Sequence, residues 1–237
     1  MTLNSSEDIV FETCFEDLSE FFLDSFYKDI APFGIKLNGF NEGEVVSSGY
    51  LFDISVNNYN GYYLYGLATL PEFRKQGRMT KLLNEIEQKA IKNSKKFLYL
   101  ATRNCKAEEL YKSFGFRKVS YPYKASKNSN FKEGFIECSI EEFINNTNSS
   151  IEFSESLRFS MINSLKEDVK TLKSENGFVL FEPSENMVLD FYPKTEEFMK
   201  VVYNSFNKPK FFFNEYSFMV KSLNDDFVLS EFSYILH

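Results

Sequence analysis

The sequence has no tryptophan and a single histidine, His237, at its last position. Ser-His-Asp and Cys-His catalysis and histidine-bearing zinc sites each need a placed imidazole, so this scarcity argues against all three and no metal site is expected. Proton transfer is left to tyrosine, carboxylate, backbone or water. Cysteine is scarce too. Cys14, Cys105 and Cys138 form no metal-type spacing, and an odd count without a secretory leader reads as reduced thiols, which empties the sequons at Asn145 and Asn148 of meaning. No stretch approaches the roughly 20 apolar residues of a membrane span, and residues 1–10 lack the basic-then-apolar order of a signal peptide. The expectation is a cytoplasmic protein with no membrane partner. Basic charge is in deficit, 27 Lys and Arg against 34 Asp and Glu, for a net charge of −7. That balance argues against a nucleic-acid partner, whose phosphates demand concentrated cations, and suits a cationic partner better.

What is abundant is aromatic carbon: 28 Phe and 14 Tyr within a hydrophobic share of 43%. Such a chain has enough apolar surface to offset its conformational entropy, and its 237 residues allow one large core or two modest ones. Phe11, Phe15 and Leu18 recur at helical intervals behind Ser5 and Ser6. Asp17-Leu18-Ser19-Glu20 resembles a capping box opening a second helix that buries Phe22 and Phe26 before Pro32 stops it. Extended segments at 35–37, 45–56 and 62–70 follow, separated by Asn38-Gly39 and Asn60-Gly61 turn signals. The spacing then predicts a helix at 78–93 with Leu82, Leu83, Ile86 and Ala90 as its apolar stripe, a strand at 97–101, a helix at 107–114 stopped by Gly115, and a strand at 116–119.

Polar residues 126–130 mark the boundary between a region at 1–124 and a second, smaller α+β region at 131–237. There, helical stretches at 140–144, 157–172 and 196–205 alternate with strands at 178–181, 187–192, 211–213 and 218–221. Gly177-Phe-Val-Leu-Phe181 echoes Gly61-Tyr-Tyr-Leu-Tyr65 and suggests a degenerate partial repeat, in which residues 193–197 have neither glycine nor arginine. The Phe211-Phe212-Phe213 run reads as a buried strand rather than an exposed docking strip.

Two segments carry chemistry. Arg74-Lys75-Gln76-Gly77-Arg78 lies between a strand and a strongly periodic helix. A helix start offers unpaired N–H groups and partial positive charge, and a glycine lets the backbone come close to anionic oxygens. Read alone, the segment is either an anion seat or a basic turn opening a surface helix. In the second segment, Asn104 can cap a helix, Ala107 and Leu110 face the core, and Tyr111 is either a proton donor or a packed aromatic. A phenol with a reference pKa near 10 can pass its proton to a thiolate whose acid form has a pKa of about 8.5.

Together, in strand, helix, strand, helix order, these segments resemble the GNAT superfamily of N-acetyltransferases over residues 8–122. The family's loop, Arg/Gln-x-x-Gly-x-Gly/Ala, is met by Arg74 and Gly77. Its later segment, Asn-x-x-Ala-x-x-Leu-Tyr-x-x-x-Gly-Phe, is met by Asn104, Ala107, Leu110, Tyr111, Gly115 and Phe116. The resemblance implies an α+β fold, with a mixed, mostly antiparallel sheet flanked by helices, and acetyl-CoA as co-substrate for a small-molecule or peptide amine acceptor. It implies that backbone groups of Leu67, Ala68 and Thr69 pair with the pantetheine arm, and that Gly66 permits a bulge making room for the thioester. Arg74, Lys75, Gln76, Gly77, Arg78, Met79 and Thr80 would form the pyrophosphate seat, Asn104 would lie near the pantetheine, and Tyr111 would protonate the departing sulfur. Met79 stands where the family has Gly or Ala. This departure, with the degenerate second half, motivates the alternative of a non-catalytic acyl-CoA-binding or regulatory protein. For the base, Asp53 is a candidate because it interrupts an apolar run; Glu72 reads as a loop-stabilising charge.

Overall fold

The structure is a computed structural model. It describes residues 9–15, 18, 20–56, 58–102, 104–120, 123–125, 134–146, 169–175, 177–183, 187–192, 211–213 and 217–224. Helix α1 (Ile9–Cys14) buries Val10 and Phe11. Helix α2 (Glu20–Ser25) runs into a π turn at Phe26–Ile30, closed by Ala31 N–H on Phe26 O, and then a 3-10 turn at Ala31–Phe33. Pro32 ends this run, as a residue without an N–H must. The expected caps Ser5, Ser6, Asp17 and Ser19 lie outside the described residues.

Strands β1 (Ile35–Asn41), β2 (Glu44–Val56) and β3 (Tyr59–Thr69) form an antiparallel meander. The reversals are not where the dipeptide signals suggest. Asn38-Gly39 pairs with Ser48 and Ser47 inside β1, and Asn60-Gly61 pairs with Ser55 and Ile54 inside β3. The first reversal instead uses Glu42 and Gly43, both at positive φ as a two-residue hairpin turn requires, and the second passes through Asn58 at φ 68°. Helix α3 (Arg78–Lys92), strand β4 (Phe97–Thr102), helix α4 (Cys105–Ser113) and strand β5 (Arg117–Ser120) follow. Leu82, Leu83, Ile86 and Ala90 of α3 are all buried, the three larger ones contributing about 1.5–3 kcal/mol each.

The remaining strands are β6 (Tyr123–Ala125), β7 (Ile136–Glu137), β8 (Lys170–Ser174), β9 (Gly177–Glu182), β10 (Met187–Tyr192), β11 (Phe211–Phe213) and β12 (Ser217–Ser222), with helix α5 (Ile140–Asn146) after β7. The helix expected at 157–172 is corrected at its end: residues 170–172 belong to β8, where a short run with Thr171 and Leu172 buried satisfies strand pairing. Residues 157–168, 193–197 and 196–205 lie outside the described residues. Strands β10, β9, β8 and β7 make one antiparallel sheet, and β11 pairs with β6.

The large sheet has the order β1, β2, β3, β4, β12, β5. Strand β12, which the sequence alone assigns to the second half, lies antiparallel between β4 and β5, aligning Ser217 with Thr102 and Phe218 with both Ala101 and Ser120. Ser217 also donates to Glu108 of α4 at 2.5 Å. The sheet is thus mixed, since β3 and β4 run parallel while its other pairs are antiparallel. One face carries Leu51, Tyr62, Leu64, Leu98, Leu100 and Met219 against α3 and α4; the other carries Tyr50 and Phe52 against Phe11, Phe26 and Ile30.

Candidate functional site

The parallel ladder of β3 and β4 pairs Gly61 through Leu64 with Phe97 through Leu100 and then stops. On the opposite side, β3 carries an extra residue: Ser48 pairs with Ala68 and Tyr50 with Tyr65, so Gly66 and Leu67 together face Gly49. A bulge of this kind bends its strand. Gly66 sits at φ +62°, and a Cβ there would overlap the Phe11 ring, so left-handed backbone and close packing against α1 both demand glycine. The bulge expected at Gly66 is present, and close packing against α1 accompanies it.

Where β3 and β4 part, a cleft of about 900 Å³ opens. It is lined by Leu67, Ala68, Thr69, Arg74, Lys75, Gly77, Arg78, Met79, Thr80, Asn104 and Tyr111, all expected site residues. Gln76 is the exception, its amide donating to Glu72 O at 3.0 Å outside that lining. Gly77 is the N-cap of α3 at φ 74°, ψ 6°, with open space where a Cβ would stand. The first backbone bond of the helix runs from Lys81 N–H to Gly77 O at 2.9 Å. The amides of Arg78, Met79 and Thr80 thus belong to the unpaired first turn, where partial positive charge accumulates.

The side chains around that turn are partly engaged. Arg74 Nε donates to Thr69 O at 2.9 Å, and its Nη2 lies 3.7 Å from Cys14 Sγ. Arg78 reaches the end of β1, donating to Asn41 Oδ1 and, at 3.4 Å, to Phe40 O. Its Nε and the Oγ1 of Thr69 are buried with no hydrogen-bond partner among the described residues. Such orphaned groups are costly unless a ligand or water meets them, and both belong to residues of the cleft. Met79 also packs against the α3/α4 core, so its bulk is shared between cleft and interior.

On the far wall, Asn104 caps α4 by accepting from Lys106 N–H at 2.9 Å and Ala107 N–H at 3.3 Å. Tyr111 lies about two turns on, 7% exposed, with Phe116 5.8 Å away centroid to centroid. Burial pushes its phenol up to about 12, so it stays protonated through the neutral range. Glu108, a turn before it, is held at about 2 by hydrogen bonds from Lys112 and Ser217, with Lys118 3.6 Å away.

Asp53 is not in the cleft. It is exposed and paired with Lys95 beyond the end of α3. None of the described lining residues is a carboxylate or histidine. The sequence reading missed the aromatic part of the lining, Phe11, Phe15, Tyr63 and Tyr65, together with Cys14. Helical spacing in α1 announced a buried face, the Tyr-Tyr-Leu-Tyr run of β3 is apolar on both sides, and nothing local distinguished a cleft wall from core. Among the described residues no group of three or more His, Cys, Asp or Glu could hold a metal, and no helix is long and apolar enough to cross a membrane.

Compared with known families, residues 4–116 match the acetyltransferase (GNAT) family. No protein of curated function matches the chain. Solved structures of similar fold include a GCN5-related N-acetyltransferase from Kribbella flavida, with a TM-score of 0.67 at 12% identity over 91% of this chain and 67% of that one. Eis1 from Mycobacterium abscessus gives 0.66 at 11% identity over 92% and 70%, and a GCN5-related N-acetyltransferase from Anabaena variabilis gives 0.65 at 11% over 93% and 71%.

Proposed function

Residues 4–116 being a domain of the acetyltransferase (GNAT) family, we propose that the chain is an acetyl-CoA-dependent N-acetyltransferase working in the cytoplasm. The observation that carries this reading is the single cleft shared by the Gly77 helix start and the protonated Tyr111 phenol. Acetyl-CoA supplies an activated thioester. The fit rests on the first-turn amides of α3, the open side of Gly77, and the unsatisfied Arg78 Nε and Thr69 Oγ1, which suit a diphosphate and its amide-bearing arm. Arg74 would leave Thr69 O for the phosphate, and Leu67 and Ala68, beyond the last β3–β4 pair at Leu64, would offer backbone groups to the arm.

The acceptor amine enters neutral, its proton lost to water, since no described residue of the cleft is a carboxylate or histidine. Its nitrogen lone pair bonds the thioester carbonyl carbon, and the carbon–sulfur bond breaks with its electron pair passing to sulfur. Tyr111 gives its phenolic proton to that sulfur. The phenolate left behind is a strong base, and it takes back the proton that the nitrogen, made acidic by bonding the acyl carbon, sheds. The products are the acetamide and the free thiol, with Tyr111 restored.

Thiol release from acetyl-CoA in the presence of an amine panel tests this. Amine-dependent release that collapses in Tyr111→Phe while CoA still raises thermal stability supports it. Tight CoA binding with no release from any amine leaves the non-catalytic acyl-CoA-binding protein.

A further inference from the structure

The cleft passes through the sheet. Leu64 and Leu67 pack with α3 and α4, whereas Tyr63 and Tyr65 pack on the opposite face with Phe11 and Phe15 of the α1 region, the latter two rings 4.9 Å apart. On β4, Leu98 and Leu100 face α3 and α4, and Tyr99 faces the other way, toward Tyr63. By alternation Ala101 shares the face of Tyr99. Its cross-strand neighbour is Phe218, whose ring stacks on Tyr99 at 6.0 Å. A methyl therefore stands in a row of rings at the point where β3 and β4 separate.

The charge of this passage is equally specific. Its described lining has four cations, Arg74, Lys75, Arg78 and Lys106, and no anion, although the whole protein carries −7. The first three lie on the phosphate side. Lys106 opens α4 beside Asn104, so among the described residues the α1 side of the cleft offers a polycation no counter-charge.

Resting on the transferase reading, we propose that the acceptor is a primary amine borne on an aromatic or similarly flat apolar body, seated against Phe15 and Tyr65 over Ala101. Polyamines and aminoglycoside-like polycations are disfavoured. An aromatic guest gains from offset or edge contact with rings already fixed in place, and its amine, the one polar end, points through the gap toward Tyr111.

The test uses the full chain with acetyl-CoA and two probes, phenethylamine and spermidine. Thiol release is expected to show kcat/KM at least about tenfold higher for phenethylamine. Phe15→Ala should raise the KM for phenethylamine by about tenfold, and Ala101→Phe, which fills the gap, by more, with the KM for acetyl-CoA unchanged in both. Spermidine equalling or beating phenethylamine overturns the proposal, as does release with spermidine alone. If neither amine releases thiol, the broader amine panel decides the transfer reading, and titrating phenethylamine into the CoA-loaded protein decides the pocket separately. Saturable binding weakened in Phe15→Ala upholds it, and absence of binding overturns it.

Discussion

The two faces of the parted sheet are built in different ways. The α3/α4 face is made of contiguous chain: the Gly77 turn with the helix it opens, and the Asn104 cap with the helix it starts. Its chemistry comes from backbone amides and one phenol. The α1 face is assembled from side chains of distant segments, α1, β3 and β4, and its chemistry is shape and aromatic surface. On the proposed reading, one face would hold a charged group by geometry the backbone dictates, and the other would select by what fits between rings. Changes on the first should alter rate and cofactor binding, and changes on the second acceptor preference and stability.

The largest separation of the two comes from Tyr111→Phe. It keeps the packing of the ring and removes only the proton, so kcat should fall about 10²–10⁴-fold with the KM for acetyl-CoA unchanged, read by thiol release. An unchanged kcat would end the distinction. Gly66→Ala strikes the α1 face. Positive φ and overlap with Phe11 together should cost about 2–4 kcal/mol, a fall in Tm of about 4–16 °C, seen by calorimetry. Ser217→Ala leaves the part-buried Glu108 carboxylate one donor short, for a loss of about 1 kcal/mol in denaturant unfolding. Gly77→Ala meets no atom and carries only the left-handed strain, about 1 kcal/mol, so CoA affinity should fall by several-fold at most.

Acid and alkali probe the same helix. The Glu108 carboxyl is depressed from 4.5 to about 2, so its contribution to stability is present above pH 4.5 and is lost as pH falls toward 2. The Tyr111 phenol is raised from 10.0 to about 12, so burial favours its neutral form, and stability falls as pH climbs above 10. Acid and alkaline melting curves of Ser217→Ala and Tyr111→Phe should each flatten the corresponding limb in part, since Lys112 still holds Glu108 down and burial still holds the Tyr99 phenol up.

The α3/α4 face was legible because its signals are local. Arg74, Gly77, Asn104, Tyr111 and Gly115 each do their work within one turn of their own position, and sequence spacing records that. The α1 face was not, since Phe11 and Tyr65 meet only after α1 has folded onto β3. Gly39 and Gly61 sit inside ladders, so the turn chemistry they share with true reversals misled the strand boundaries. Residues 170–172 carry too few apolar positions to separate a 3.6-residue period from a two-residue one. No local feature of Ser217–Ser222 announces that its partners are Phe97–Thr102 and Arg117–Ser120.

That late strand sets an order of events at the ribosome. The edge of β4 and the paired side of β5 wait for residues 217–222, and a chain emerging at 5–20 residues per second leaves them bare for about 5–20 s after residue 120 has appeared. During that interval the nascent domain displays an open strand next to the helix bearing Tyr111, the kind of surface that pairs with a stranger. Birth of the protein, more than its mature life, is therefore when it depends most on being shielded.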